Sequence, residues 1–304
     1  MKISKNKKVW RSLLYMPSDN IKFTKKAQNR GADGIILDLE DSIAPDNKEN
    51  ARKLCQKAIS NLASGPADIL VRINAPLREA VKDLEAVIKP GLDALFIPKI
   101  ESPGLLCAFD TAITSLELEN QMTVGSVGLV PMIETPSALL KAKKIAEATP
   151  RNVGLILGGE DFANSANLKP SADTLTPPKL QLALAAKAAG LISIGILDTV
   201  ADFSDPNAMY ETAVRSAEFG FEGATCIHPS MVEALNSGFT PKDDEIINAR
   251  RVVKLMESSW QNNKGAAQIN GKMIDMPVYQ RAKALLERVD LIKEKMKCSP
   301  SASK

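Results

Sequence analysis

Eight apolar, β-prone runs alternate in strict order with helix-forming segments, which predicts an α/β fold, a (β/α)8 TIM barrel with a C-terminal helical extension. Two observations carry this. The runs are too continuously apolar to have a solvated face, as in a parallel sheet covered by helices. Polar residues then gather where the runs end: Asp38, Glu40, Asp41, Arg72, Lys99, Glu134, Glu160, Asp161, Asp198 and His228. That edge is where barrel enzymes place their chemistry. A doubly wound open sheet is the competing topology, but no G-x-G-x-x-G follows the first strand.

In order, strands are expected at 13–16, 34–39, 69–73, 94–97, 127–133, 153–157, 192–197 and 224–227. Helices are expected over 20–29, 47–62 and 77–88, the last because Val81, Leu84, Val87 and Ile88 keep helical spacing. Ser102 before Pro103, Thr135 before Pro136 and Thr176 before Pro177 each read as an N-cap followed by proline in the first turn. A polar loop is expected over 163–175, a helix over 208–219, and a capping box from Ser230 and Glu233. The barrel is placed at 9–240 and the extension at 241–296, with helices from 243 to 260 and from 278 to 296. Residues 297–304 are expected to be a disordered tail.

At 304 residues the chain can bury a large core, and its charge is balanced, 39 basic against 36 acidic residues. That balance, with aromatics at only 4%, argues against a nucleic-acid partner. Cys55, Cys107, Cys226 and Cys298 are scattered without metal-ligand spacing, so neither a zinc site nor a disulfide framework is expected, and a cytoplasmic setting is. The basic stretch 1–8 leads into a short apolar run broken by Arg11 and stopped at Pro17, unlike a signal peptide. No uncharged stretch is long enough to span a bilayer, so no membrane partner is expected.

The strongest candidates are Glu134 and Asp161. Both are carboxylates at the ends of successive buried strands, and such pairs suit a hard divalent cation such as Mg²⁺. Thr135 and Pro136 already supply the helix start, so Glu134 is not needed there. Asp161 follows Gly158-Gly159-Glu160, where glycines permit a sharp turn and close approach of a ligand. Asp41 or Asp46 alone reads as a dipole-compensating acid, and so does Asp275 before Pro277. Arg72 ends an apolar strand and must find a carboxylate, either a substrate's or that of Glu40. His228, the single histidine, is as readily a structural group as a base, and no G-x-S-x-G elbow exists to build a serine triad with it.

Six motifs then occur in order: Arg11-Ser12-Leu13-Leu14-Tyr15-Met16-Pro17, Leu37-Asp38-Leu39-Glu40-Asp41-Ser42, Val71-Arg72-Ile73-Asn74, Pro131-Met132-Ile133-Glu134-Thr135-Pro136, Gly158-Gly159-Glu160-Asp161-Phe162 and Ile227-His228-Pro229. With Phe239-Thr240-Pro241 and Gly271-Lys272-Met273-Ile274-Asp275, the set resembles the citrate lyase β-subunit-like family of the HpcH/HpaI aldolase superfamily. The resemblance implies a Mg²⁺-dependent carbon–carbon lyase acting on a citramalyl-, malyl- or citryl-CoA-like thioester, assembled as a trimer or hexamer. It makes Glu134 and Asp161 the metal ligands and Arg72 the binder of substrate oxygens. Gly159 and Glu160 fall beside them on the substrate side. Glu40 and Asp41 would support the metal's water shell, and Asp275 would enter a neighbouring subunit's site as acid/base.

Two stretches depart from the family pattern. Ala224 stands where a lysine is usual. The 163–175 loop lacks the usual acid and glycine, and Pro177-Pro178-Lys179 replaces an Ala-Arg-Ser. These places are where a thioester handle or side-chain pocket is expected. They keep two alternatives open: a class II aldolase acting on a free hydroxy oxo acid, and the β-subunit of a citrate-lyase-type complex that uses an acyl-carrier protein.

Overall fold

The computed structural model describes residues 8–198, 204–262, 265–269 and 272–298. The basic residues 1–7, Gly271 and residues 299–304 of the expected tail lie outside them. Residues from Trp10 to Phe239 form one compact unit, and those from Thr240 onward, with Lys8 and Val9, form another.

The first unit is an eight-stranded parallel sheet: β1 (Ser12–Pro17), β2 (Gly34–Asp38), β3 (Asp68–Arg72), β4 (Ala94–Ile97), β5 (Gly128–Ile133), β6 (Gly154–Leu157), β7 (Ile192–Ile194) and β8 (Ala224–Cys226). Their spatial order is β7-β6-β5-β4-β3-β2-β1-β8. A single parallel bridge, Ile194 to Gly223, joins the outer two and nearly closes the barrel. Gly195 N–H donates to Gly223 O there at 2.8 Å. A Cβ on Gly223 would lie 1.7 Å from Trp10 O, so only glycine allows this approach.

The strands are apolar on both faces because each face is buried. Leu13, Ile36, Leu70, Phe96, Val130, Met132, Ile156 and Ile194 fill the barrel interior over Trp10. Their sequence neighbours, such as Leu14, Ile35, Leu37, Val71, Leu95 and Leu155, pack outward under the helices. This is the period-two alternation of a strand, with each fully buried side chain worth about 1.5–3 kcal/mol. At the N-terminal edge the charges serve the frame: Arg11 Nε donates to Asp33 at 2.8 Å and Trp10 Nε1 to Asp68 at 2.8 Å.

Ser102 and Thr135 cap their helices as expected, accepting Leu105 N–H at 3.4 Å and Ala138 N–H at 3.1 Å. Elsewhere the local structure differs. The segment 20–29 splits into Ile21–Thr24 and the 3-10 turn Ala27–Arg30, with Thr24 Oγ1 bonding Ile21 O at 3.3 Å in competition with the helical ladder. The helix after β5 breaks into Pro136–Leu139 and Ala142–Ala146. The helix expected from Thr176 starts a turn earlier, at Ala172, because Ser171 and Thr174 cap it reciprocally. Pro177 and Pro178 fall inside it, and Thr176 Oγ1 donates instead to Leu197 O at 3.2 Å. The Ser230–Glu233 box does not form: His228 Nδ1 accepts Ser230 N–H at 3.2 Å and caps the turn Pro229–Met231.

The second unit holds helices Asp243–Gln261 and Met276–Cys298, the latter running through positions 297 and 298 of the expected tail. Between them an antiparallel hairpin forms, β9 (Ala267–Ile269) with β10 (Lys272–Ile274). Its sequence signal is alternation around the turn-forming dipeptide Asn270-Gly271, which itself lies outside the described residues. Ala249, Val252, Met256, Ile274 and Ala282 form this unit's core.

Candidate active site

The β2–β3 edge fixes a cation. Asp38 and Arg72 end adjacent strands in register, and Arg72 donates from Nε and Nη2 to the two Asp38 oxygens at 2.7 and 2.8 Å. The third arm, Nη1, faces Glu40 at 3.2 Å and Asp41 at 3.4 Å. The sequence left Glu40 or a substrate as the partner of Arg72; the fork goes to Asp38, because the register sets the two side by side. Asp38 also accepts the N–H groups of Glu40 at 3.0 Å and Ser42 at 3.1 Å, and Lys48 Nζ clamps the carbonyls of Leu39 and Glu40 at 2.8 and 2.5 Å. The guanidinium carbon lies 5.0 Å from the Tyr15 ring centroid, a cation–π contact.

These contacts set the charges. Burial alone would raise Asp38, but the paired hydrogen bonds from Arg72 outweigh it and hold its carboxyl low. Arg72 stays charged, its affinity for the proton raised by Asp38 against the cost of burial. Glu40 is pushed up to about 7, first by burial and then by Asp41 and Asp38, against Arg72 and Lys99.

The β5–β6 edge supplies two acids. Glu134 follows β5, is 3% exposed, and accepts Lys99 N–H at 3.2 Å. Lys99 holds a positive φ of 52°, uncommon for a side-chain-bearing residue, which directs that amide. A Cβ on Gly158 would stand 2.6 Å from Glu134 Cγ, so the strand end must be glycine for Glu134 to lie there. The helix Gly159–Ser165 then begins at once, with Glu160 and Asp161 in its first turn. Lys99 Nζ stands 3.9 Å from Asp161 and 4.0 Å from Glu40. Burial, then Asp161 and Glu40, push Glu134 up to about 8.

Both edges border one cavity of about 520 Å³, lined by Tyr15, Asp38, Asp41 and Arg72 from one edge and by Gly159, Glu160 and Asp161 from the other, with Lys179. Glu40 and Glu134 are buried beside this wall, 6% and 3% exposed. Among the described residues no three His, Cys, Asp or Glu side chains form a ready metal cage. The donor set is two carboxylates crowded by a third, with their mutual repulsion partly met by Lys99. That suits Mg²⁺, which takes one or two carboxylates and fills its shell with water and substrate oxygens.

The barrel therefore brings Arg72, Glu40, Asp41, Glu134, Gly159, Glu160 and Asp161 to one edge. Asp275 belongs to the second unit, where its carboxylate accepts Val278 N–H at 3.3 Å and caps the last helix. His228 acts locally as a cap. Asp38 and Lys99, strand-end polar residues in the sequence, gain roles only from these contacts. Lys179 belongs to the Pro177-Pro178-Lys179 departure, where a thioester handle or side-chain pocket is expected; that its own side chain is 6% exposed and lines the cavity is decided by the fold.

With that geometry established, similarity to known proteins is informative. The family model of HpcH/HpaI aldolase/citrate lyase matches residues 11–229. The chain is 32% identical over 287 residues to citrate lyase subunit beta of Escherichia coli (strain K12), covering 92% of this chain and 93% of that one. It is 31% identical over 298 residues to the mitochondrial citramalyl-CoA lyase of Homo sapiens, covering 94% and 87%. The crystal structure of protein CitE from Mycobacterium tuberculosis in complex with magnesium, acetoacetate and coenzyme A superposes with a TM-score of 0.70 at 28% identity, covering 92% of this chain and 97% of that one. A family model matched over residues 11–229 and relatives more than 30% identical along nearly the whole chain mean that this chain is a lyase belonging to the HpcH/HpaI aldolase/citrate lyase family.

Proposed function

We propose that this enzyme is a Mg²⁺-dependent carbon–carbon lyase that cleaves a 3-hydroxyacyl-CoA thioester into an acyl-CoA and an oxo acid. The observation that carries this is a cavity lined by Asp161 and the Asp38-anchored Arg72, with Glu134 buried beside it and within electrostatic reach of Asp161. The relative crystallised with magnesium, an oxo acid and coenzyme A supports the same reading.

Glu134 and Asp161 would hold the cation, which when bound would supply Lewis-acid stabilisation to the substrate's hydroxyl oxygen. Arg72 binds the substrate's carboxylate or developing oxyanion through Nη1. Its Nε and Nη2 are fixed by Asp38, so the charge is in place before reaction. Glu40 and Asp41, on the loop held by Asp38 and Lys48, would orient water around the metal position. Asp275, supplied by a neighbouring subunit of a trimer or hexamer, protonates the thioester enolate that leaves. Cys55, Cys107 and Cys226 are free thiols, and among the described residues no helix is long and apolar enough to cross a membrane; both suit a cytoplasmic setting.

The test is a panel of citramalyl-, malyl- and citryl-CoA, with the corresponding free acids and acyl-carrier-protein thioesters, followed by oxo-acid release. Chelation by EDTA and Glu134→Ala should each lower kcat by at least about a hundredfold. Turnover indifferent to both would remove the metal role. Equal turnover of the free acids would favour the class II aldolase, and turnover only on the carrier-protein thioester the subunit of a complex.

A further inference from the structure

The cavity holds a cation for which the proposed reaction has no use. Lys179 is 6% exposed and lines the cavity. Its ammonium has three donors, and among the described residues it makes one hydrogen bond, to Asp198 O at 2.6 Å. The carboxylates of Asp198 and Glu160 act on it through space, but both belong to exposed residues, and the burial of Lys179 prevails, holding its pKa down at about 8. A buried ammonium with unused donors is costly unless an anion meets it.

The surroundings leave room for one. A Cβ on Gly159 would stand 4.0 Å from Nζ and 3.3 Å from Leu175 Cδ1. Lys179 Nζ therefore lies beside the backbone of the segment that carries Asp161 with no side chain between them. Leu157, Leu175 and Ile196 line the same cavity and offer no competing polar group.

We propose that Lys179 is a specificity-determining anion subsite that takes a second carboxylate on the oxo-acid half of the substrate, so that the enzyme prefers a four-carbon dicarboxylic oxo acid over a monocarboxylic one. This rests on the lyase reading, in which the first carboxylate is bound by Arg72 and at the Glu134–Asp161 metal position. Lys179, lining the same cavity, then takes the second carboxylate of the same molecule. It touches substrate without taking part in bond cleavage.

The experiment titrates the Mg²⁺-loaded protein calorimetrically with freshly prepared oxaloacetate and with pyruvate, as wild type, Lys179→Met and Lys179→Arg. Wild type should bind oxaloacetate at least tenfold more tightly. Lys179→Met should cut the oxaloacetate-to-pyruvate affinity ratio by about ten- to a hundredfold, the loss of a charge-assisted hydrogen bond, while Lys179→Arg keeps most of it. A wild type without preference, or an unchanged ratio in Lys179→Met, overturns the subsite and leaves the lyase reading standing. Failure of wild type to bind either acid overturns the lyase reading, and the subsite with it. Should Lys179→Met not fold, the wild-type ratio and Lys179→Arg still decide.

Discussion

Glu134 and Glu40 are carboxyls whose protons are held tightly by their surroundings, pushed from the ordinary 4.5 to about 8 and about 7. Between those values and 4.5 the folded metal-free protein binds more protons than the unfolded chain does. Stability must therefore fall as pH rises through that window, since it rises with pH only where the unfolded state binds the excess. The melting temperature of metal-free protein should drop from about pH 5 to about pH 8, and Glu134→Gln should flatten the slope. A wild type and a Glu134→Gln variant with the same slope would contradict the assignment. Mg²⁺ needs the ionised carboxylate, so its Kd should rise roughly tenfold for each pH unit below 8, measurable by calorimetry. Arg72 teaches a related point. Its need for a carboxylate was legible from an apolar strand ending in arginine, but its choice of Asp38 was not, since only strand pairing places residue 38 beside residue 72.

At the scale of elements, the β6 turn does the positioning. Gly158 has φ −76°, which any residue adopts, so its glycine is required by space and not by backbone strain. Gly158→Ala would drive a methyl into Glu134 Cγ at 2.6 Å. The expected result is a fall in stability of about 1–3 kcal/mol from overpacking, with Mg²⁺ affinity reduced at least tenfold as Glu134 is displaced. Melting curves and metal titration check the two effects separately; unchanged metal affinity would show that Glu134 does not ligate from this position. Caps with a local signature, Ser102 and Thr135, were readable because the cap and its amide lie three residues apart. The helix at Ala172 was not: Thr176-Pro177 carries the same signature, but Ser171 and Thr174 cap each other a turn earlier and Thr176 Oγ1 bonds Leu197 O, 21 residues away.

For the molecule as a whole, Asp275 separates a structural role from a catalytic one. Its carboxylate caps the last helix, a task asparagine performs equally well, whereas only an acid donates a proton. Asp275→Asn should keep stability within about 0.5 kcal/mol and lower kcat by about a hundredfold or more; full activity in this variant would end the acid/base assignment. Light scattering should find a trimer or hexamer at working concentration, and a monomer would remove the neighbouring subunit on which that assignment depends.

Strand order, the barrel and the edge that carries the acids follow from the sequence alone. They depend on which runs are continuously apolar and on their strict alternation with helix-forming segments, and both are local properties of the chain. The tertiary structure decided what those side chains meet: the Asp38–Arg72 fork, the amide of Lys99 on Glu134, and Lys179 buried against the cavity. Each of these joins residues 19 to 35 positions apart. Their energies exist only once strand register and helix packing have brought the groups within hydrogen-bond reach and out of water, and no spacing in the chain encodes that distance.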